Sequence, residues 1–115
     1  MIKKTVKKKI PIYFGNLVML LVEEMEDVNE KYKIGAKNSY ASLTWTKEKK
    51  SGVNEYFIAV QRKTDNSVIA HEVVHIVNYI FTNNGVELDR FNDEAQAYLT
   101  GWVFGKIEKF LKKNK

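Results

Sequence analysis

The chain has 115 residues, enough for one hydrophobic core and therefore one domain. It contains no cysteine, which excludes disulfides, thiolate metal ligands and cysteine nucleophiles, so nitrogen and oxygen atoms would have to hold any metal ion. The formal net charge is +5, and lysines are concentrated at both ends of the chain. The longest apolar run, residues 17–22, is too short to cross a bilayer, and no signal-peptide pattern follows the basic start. We therefore expect a cytoplasmic protein with no membrane partner.

The lysines have two interpretations. They could form a footprint for nucleic acid or another polyanion, or they could solvate a strand and the last turns of a helix, whose dipole favours cations. We find no interleaving of arginine with aromatic residues and no known nucleic-acid-binding motif. The pattern favours solvated lysines and disfavours a nucleic-acid partner.

The first half of the chain predicts a β-hairpin followed by a helix. Residues 8–14 alternate in hydrophobicity, and their proline is typical of an edge strand. Gly15-Asn16 is a two-residue turn signal, and residues 17–22 predict a buried strand that returns from the turn. Residues 23–32 predict a helix, which Ile34-Gly35 terminates.

The second half predicts another hairpin and two helices. Residues 39–46 and 55–62 are rich in β-forming side chains and are separated by a polar turn. Residues 69–82 predict a helix, and Asn92 is the expected N-cap of the last helix. The element order is ββαββαα. It predicts an α+β domain in which a mainly antiparallel sheet of about four strands in two hairpins packs on the last two helices.

The helix over residues 69–82 contains the pattern His71-Glu72-x-x-His75, the HExxH motif. Side chains four residues apart lie on the same face of a helix, so two imidazoles can bind one ion at about 2.0–2.1 Å each. Glu72 lies beside the open coordination position, where it can act as a general base. These are the chain's only histidines, and the helix around them is apolar. Burying two unpaired imidazoles and a carboxylate there would be costly without a metal.

A catalytic zinc normally takes three protein ligands, so a third must come from downstream. Glu94, at the start of the last helix, is the leading candidate, and Asp93 is its main competitor. Both acids also favour a helix N-terminus electrostatically, but only one is needed for that role. Small residues on the same helix (Ala97, Gly101 and Gly105) predict a close approach to the HExxH helix, because helical glycines otherwise destabilise.

The HExxH motif followed by Glu94-Ala95-Gln96-Ala97-Tyr98 resembles the gluzincin metallopeptidases in their minimal single-domain forms. It is also similar to small phage-encoded metallopeptidase-like proteins, which carry an Asn-Asp-Glu-x-x-Ala-Tyr-Leu-like stretch after the HExxH helix. The resemblance covers about residues 53–105 and implies a single metallopeptidase-like domain over residues 1–115. In such a domain the hairpin over residues 40–62 would supply an edge strand that aligns a peptide substrate.

The resemblance implies one zinc ion per chain, held by His71, His75 and Glu94, with Glu72 as general base. Many larger gluzincins use a further histidine or tyrosine to stabilise the oxyanion, and Tyr98 is the candidate for that role here. The predicted activity is hydrolysis of a peptide or protein substrate by metal-activated water. Two alternatives stay open: a catalytically silent zinc-binding interaction module on the same scaffold, and a basic nucleic-acid-binding protein.

Overall fold

A computed structural model describes residues 1–114 and confirms the predicted α+β class and element order. A short 3-10 turn (Met25–Val28) precedes the first helix. The strands are β1 (Ile2–Lys9), β2 (Asn16–Val22), β3 (Leu43–Glu48) and β4 (Asn54–Val60), and the helices are α1 (Asn29–Tyr32), α2 (Asn66–Asn83) and α3 (Glu94–Lys113).

The four strands form one mixed sheet in the order β1-β2-β4-β3. Both predicted hairpins are present as antiparallel pairs, β1 with β2 and β3 with β4. The hairpins are joined by a parallel pairing of β2 with β4, which the sequence pattern did not indicate. Both central strands are buried along almost their whole length, since each is covered on two faces.

Two apolar layers cover the sheet. On one face, α2 and α3 pack against alternate residues of the central strands, among them Met19 and Ile58. On the other face, residues from the 3-10 turn and α1 cover Val18, Leu20 and Phe57. Trp45 of β3 belongs to this second layer and stacks on Phe57 with ring centroids 4.8 Å apart. Within residues 1–114, no helix combines the length and apolar content needed to cross a membrane.

The first strand was predicted at the wrong place. It occupies Ile2–Lys9, and residues 10–15 form the connecting loop instead of a strand and a two-residue turn. The loop is closed by a hydrogen bond in which the Ile10 amide donates to the Gly15 carbonyl at 3.1 Å. A lysine-rich edge strand carries too few apolar side chains to show a strand period, although the lysines protect the exposed edge.

The predicted helix over residues 23–32 is also shorter than expected. The chain forms the 3-10 turn and then a single turn of α-helix, which ends at Lys33 in the left-handed conformation (φ 52°). The Asn29 side chain bonds the backbone of Ala36 in both directions, at 2.8 and 2.9 Å, and so folds the following loop back on the helix. The strand predicted at 39–46 begins later, at Leu43.

Candidate metal centre

The first half of α2 presents the HExxH motif beside the edge of the sheet. The buried residues Ile69, Val73 and Ile76 hold this half of the helix against the core. His71 and His75 lie on the exposed side of α2, next to β3, which is an edge strand of the sheet. The burial cost expected from the sequence therefore does not apply to the two imidazoles, and among the motif's histidines and glutamate only Glu72 is buried. The apolar face of α2 thus anchors the helix and turns the two imidazoles into a surface cleft.

The two imidazoles converge. The Nε2 atoms of His71 and His75 are 3.2 Å apart, and the ring centroids are 4.9 Å apart. Two nitrogens 3.2 Å apart, each about 2.05 Å from a zinc ion, would subtend about 103° at the metal, close to the tetrahedral angle. The same separation also suits a hydrogen bond in which one Nε2 donates to the other. The donor pair fits a zinc ion without requiring one.

Glu72 lines the same cleft and is only 8% exposed. None of the five ion pairs among the described residues includes it. Its remaining exposed surface and its place in the cleft lining leave Glu72 accessible to water from the cleft. A nearly buried carboxylate that still reaches water is suited to proton transfer.

Residues 40–44 form the wall of the cleft opposite α2, and the volume of this open cleft is about 580 Å³. The Ser42 hydroxyl donates to the Ala59 carbonyl at 2.6 Å and ties this segment to β4. Tyr40 and Tyr79 also line the cleft, and neither was among the residues predicted from the sequence. The sequence could have indicated Tyr79, since it lies four residues after His75 and therefore on the same face of the helix.

The structure does not bring Glu94 to the histidines. Val73 of α2 lines the groove between α2 and α3. At 100° per residue, Val73 points about 160° away from both histidines, so α3 packs on a side of α2 that faces away from them. Glu94 lies on α3 and lines a separate cavity with Tyr98 and residues of the β1–β2 loop. The competitor Asp93 is exposed and is the N-cap of α3, one residue after the predicted N-cap Asn92.

Within residues 1–114, no three His, Cys, Asp or Glu side chains are grouped closely enough to hold a metal ion. The assignment of Glu94 as third ligand therefore stays a prediction from sequence, and the arrangement of α3 does not support it. Tyr98 is 68% exposed and does not line the histidine cleft, so its predicted oxyanion role lacks support as well.

The small residues of α3 do not produce the predicted close approach. A Cβ atom added to Gly101 or Gly105 would meet no heavy atom within 4 Å outside the helix's own backbone. These glycines instead border an open groove with Val74, which is 54% exposed.

Comparison of the chain with protein-family models, with curated proteins and with solved structures finds no match. The case for a function therefore rests on the geometry of the cleft and on the motif itself.

Proposed function

We propose that this protein is a zinc-dependent peptidase in which His71 and His75 hold the metal and Glu72 is the general base. The observation that carries the proposal is the convergence of the two Nε2 atoms at 3.2 Å on the wall of an open cleft. A bound zinc ion would supply Lewis acidity for the attack of water on a carbonyl. Glu72 accepts the proton that the attacking water loses and delivers it to the leaving amine.

The wall opposite α2 supports a peptide as the substrate. Residues 40–44 lead into β3, whose far edge has no strand paired with it in the described sheet. An extended peptide can add to such an edge by backbone hydrogen bonding, and alternate side chains then set the specificity. A peptide bound there would lie between the edge strand and the imidazoles.

The first experiment is metal analysis of protein loaded with zinc and then dialysed. We expect one zinc ion per chain in the wild type and none in His75→Ala. Two variants, Glu94→Ala and Tyr79→Phe, test which residue is the third ligand: the predicted Glu94 or Tyr79, which lines the cleft. Zinc retained in Glu94→Ala would agree with the separate cavity around Glu94, whereas loss would mean that α3 shifts toward the cleft when metal binds. If the wild type cannot be loaded with zinc, the proposal fails.

Activity is tested with a library of quenched fluorescent peptides. We expect Glu72→Gln to keep zinc and to lower hydrolysis by about 10²–10⁴-fold, the usual contribution of a general base. Glu87→Gln, at an exposed position outside the cleft, is the matched control and should keep full activity. Unchanged turnover in Glu72→Gln would refute the assigned role.

A catalytically silent zinc-binding module is the second candidate. It is favoured by one observation, the absence of a grouped third acidic or histidine ligand in residues 1–114. It predicts zinc binding that requires His71 and His75, with no hydrolysis of any member of the library.

A further inference from the structure

A second concave surface lies between β1 and the last half of α3, away from the histidine cleft. We call it the lysine groove. Its volume is about 530 Å³, and five lysines line it: Lys4, Lys8, Lys106, Lys109 and Lys113. Val6, Met19 and Phe110 contribute the apolar part of its lining.

The periods of the two elements bring these lysines together. Lys4, Val6 and Lys8 are alternate residues of β1, so their side chains face the same side of the sheet. Lys106, Lys109 and Lys113 follow the i, i+3 and i+7 spacing of one helical stripe. The groove therefore combines one face of a strand with one face of a helix.

No acid of residues 1–114 forms an ion pair with these lysines. The lining of the groove contains no Asp or Glu. The opposite face of β1 differs, because Lys3 pairs with Glu23 and Lys7 with Glu55, each at 2.8 Å. The helix dipole favours the lysines at the end of α3 but gives no reason for Lys4 and Lys8.

We propose that the lysine groove binds the phosphate backbone of nucleic acid without reading the base sequence. Lysine is a point charge that suits phosphate, and the lining has no arginine with which to read bases. Its one aromatic side chain, Phe110, is buried and offers no open face on which a base could stack. A concave groove suits a phosphodiester strand better than the flat surface of a bilayer. The site is independent of the proposed peptidase activity.

The test is fluorescence anisotropy with a labelled DNA duplex of about 20 base pairs, titrated between about 50 and 200 mM salt. Five phosphate contacts predict a slope of log K against log salt of about −4.5. The triple variant Lys106→Gln/Lys109→Gln/Lys113→Gln should weaken binding by at least about tenfold and bring the slope to about −1.8. Two unrelated duplex sequences should bind equally, and a chelator should change nothing.

The matched control is Lys37→Gln/Lys50→Gln/Lys63→Gln, which removes the same charge from exposed positions outside the groove. It should alter the affinity by less than about twofold, the size of an electrostatic effect at a distance. The variant Lys106→Arg/Lys109→Arg/Lys113→Arg keeps the charge and should keep binding, which separates loss of contact from loss of folding. Equal loss in the two glutamine triples would overturn the proposal. Absence of duplex binding by the wild type would do so too, as would stronger binding to phosphatidylserine vesicles than to the duplex.

Discussion

Replacing Gly101 and Gly105 by alanine should stabilise the protein by about 2 kcal/mol. Glycine in a helix interior is about 0.8–1.0 kcal/mol less favourable than alanine, and both positions lie well inside α3 (Glu94–Lys113). The added Cβ atoms meet no heavy atom within 4 Å beyond the helix's own backbone, so no steric penalty opposes the gain. The two contributions should then add.

The gain is measurable by thermal and urea unfolding of the double variant. For a chain of this length the entropy of unfolding is about 0.24 kcal/mol per degree, so a gain of about 2 kcal/mol raises Tm by about 8 °C. In urea the midpoint should rise with an unchanged m-value, because the surface exposed on unfolding stays the same.

The contrary result is equally informative. Destabilisation of the double variant would mean that α3 approaches α2 more closely than this structure has it, as the small residues of the sequence predicted. Gly35→Ala is the contrasting control, because Gly35 has a φ of 71° and an added Cβ there also meets nothing within 4 Å. Alanine at that position should destabilise by about 1 kcal/mol through backbone strain alone.

Three further outcomes follow from local geometry. Gly15→Ala should destabilise the protein by about 3 kcal/mol or more in urea unfolding, because the added Cβ would lie 2.5 Å from the Asn54 carbonyl oxygen and because Gly15 has a φ of 119°. A loss below about 1 kcal/mol would contradict this. Ile12→Gly should raise the free energy of unfolding by about 0.5–1 kcal/mol, since the residue has a φ of 68° and its side chain is 84% exposed; a lower Tm would refute it. Burial raises the pKa of Glu55, but the hydrogen bonds and charges of Lys7 and, to a lesser extent, Lys49 outweigh burial and leave that pKa below its ordinary value of 4.5. These interactions therefore stabilise the fold above about pH 4.5 and are lost as the pH falls through the lowered pKa. Lys7→Gln should destabilise by about 0.5–1 kcal/mol at neutral pH, because solvent screens the half-exposed lysine, and by less in acid; an equal loss at both pH values would contradict the reasoning.

The sequence by itself determined what depends on neighbours in the chain. The i, i+4 spacing of His71 and His75 places both imidazoles on one face of α2 whatever surrounds the helix. Turn signals and runs of β-forming residues likewise predicted two hairpins, an α+β class and the element order. Boundaries were less accurate where composition hid the period, as in the lysine-rich β1 and the broken helix over residues 25–32.

Only the tertiary structure decided how these elements face one another. Pairing of β2 with β4 is a contact between distant segments, and no local pattern states which strands become neighbours. The spacing of 19 residues from His75 to Glu94 fixes no direction in space. The side of α2 on which α3 packs follows from the apolar side chains that both helices bury against the sheet. That packing turns the histidines toward residues 40–44 and places the lysines of α3 beside those of β1. The orientation of a helix is set by the area buried across the whole core, and the period of one element alone does not determine it.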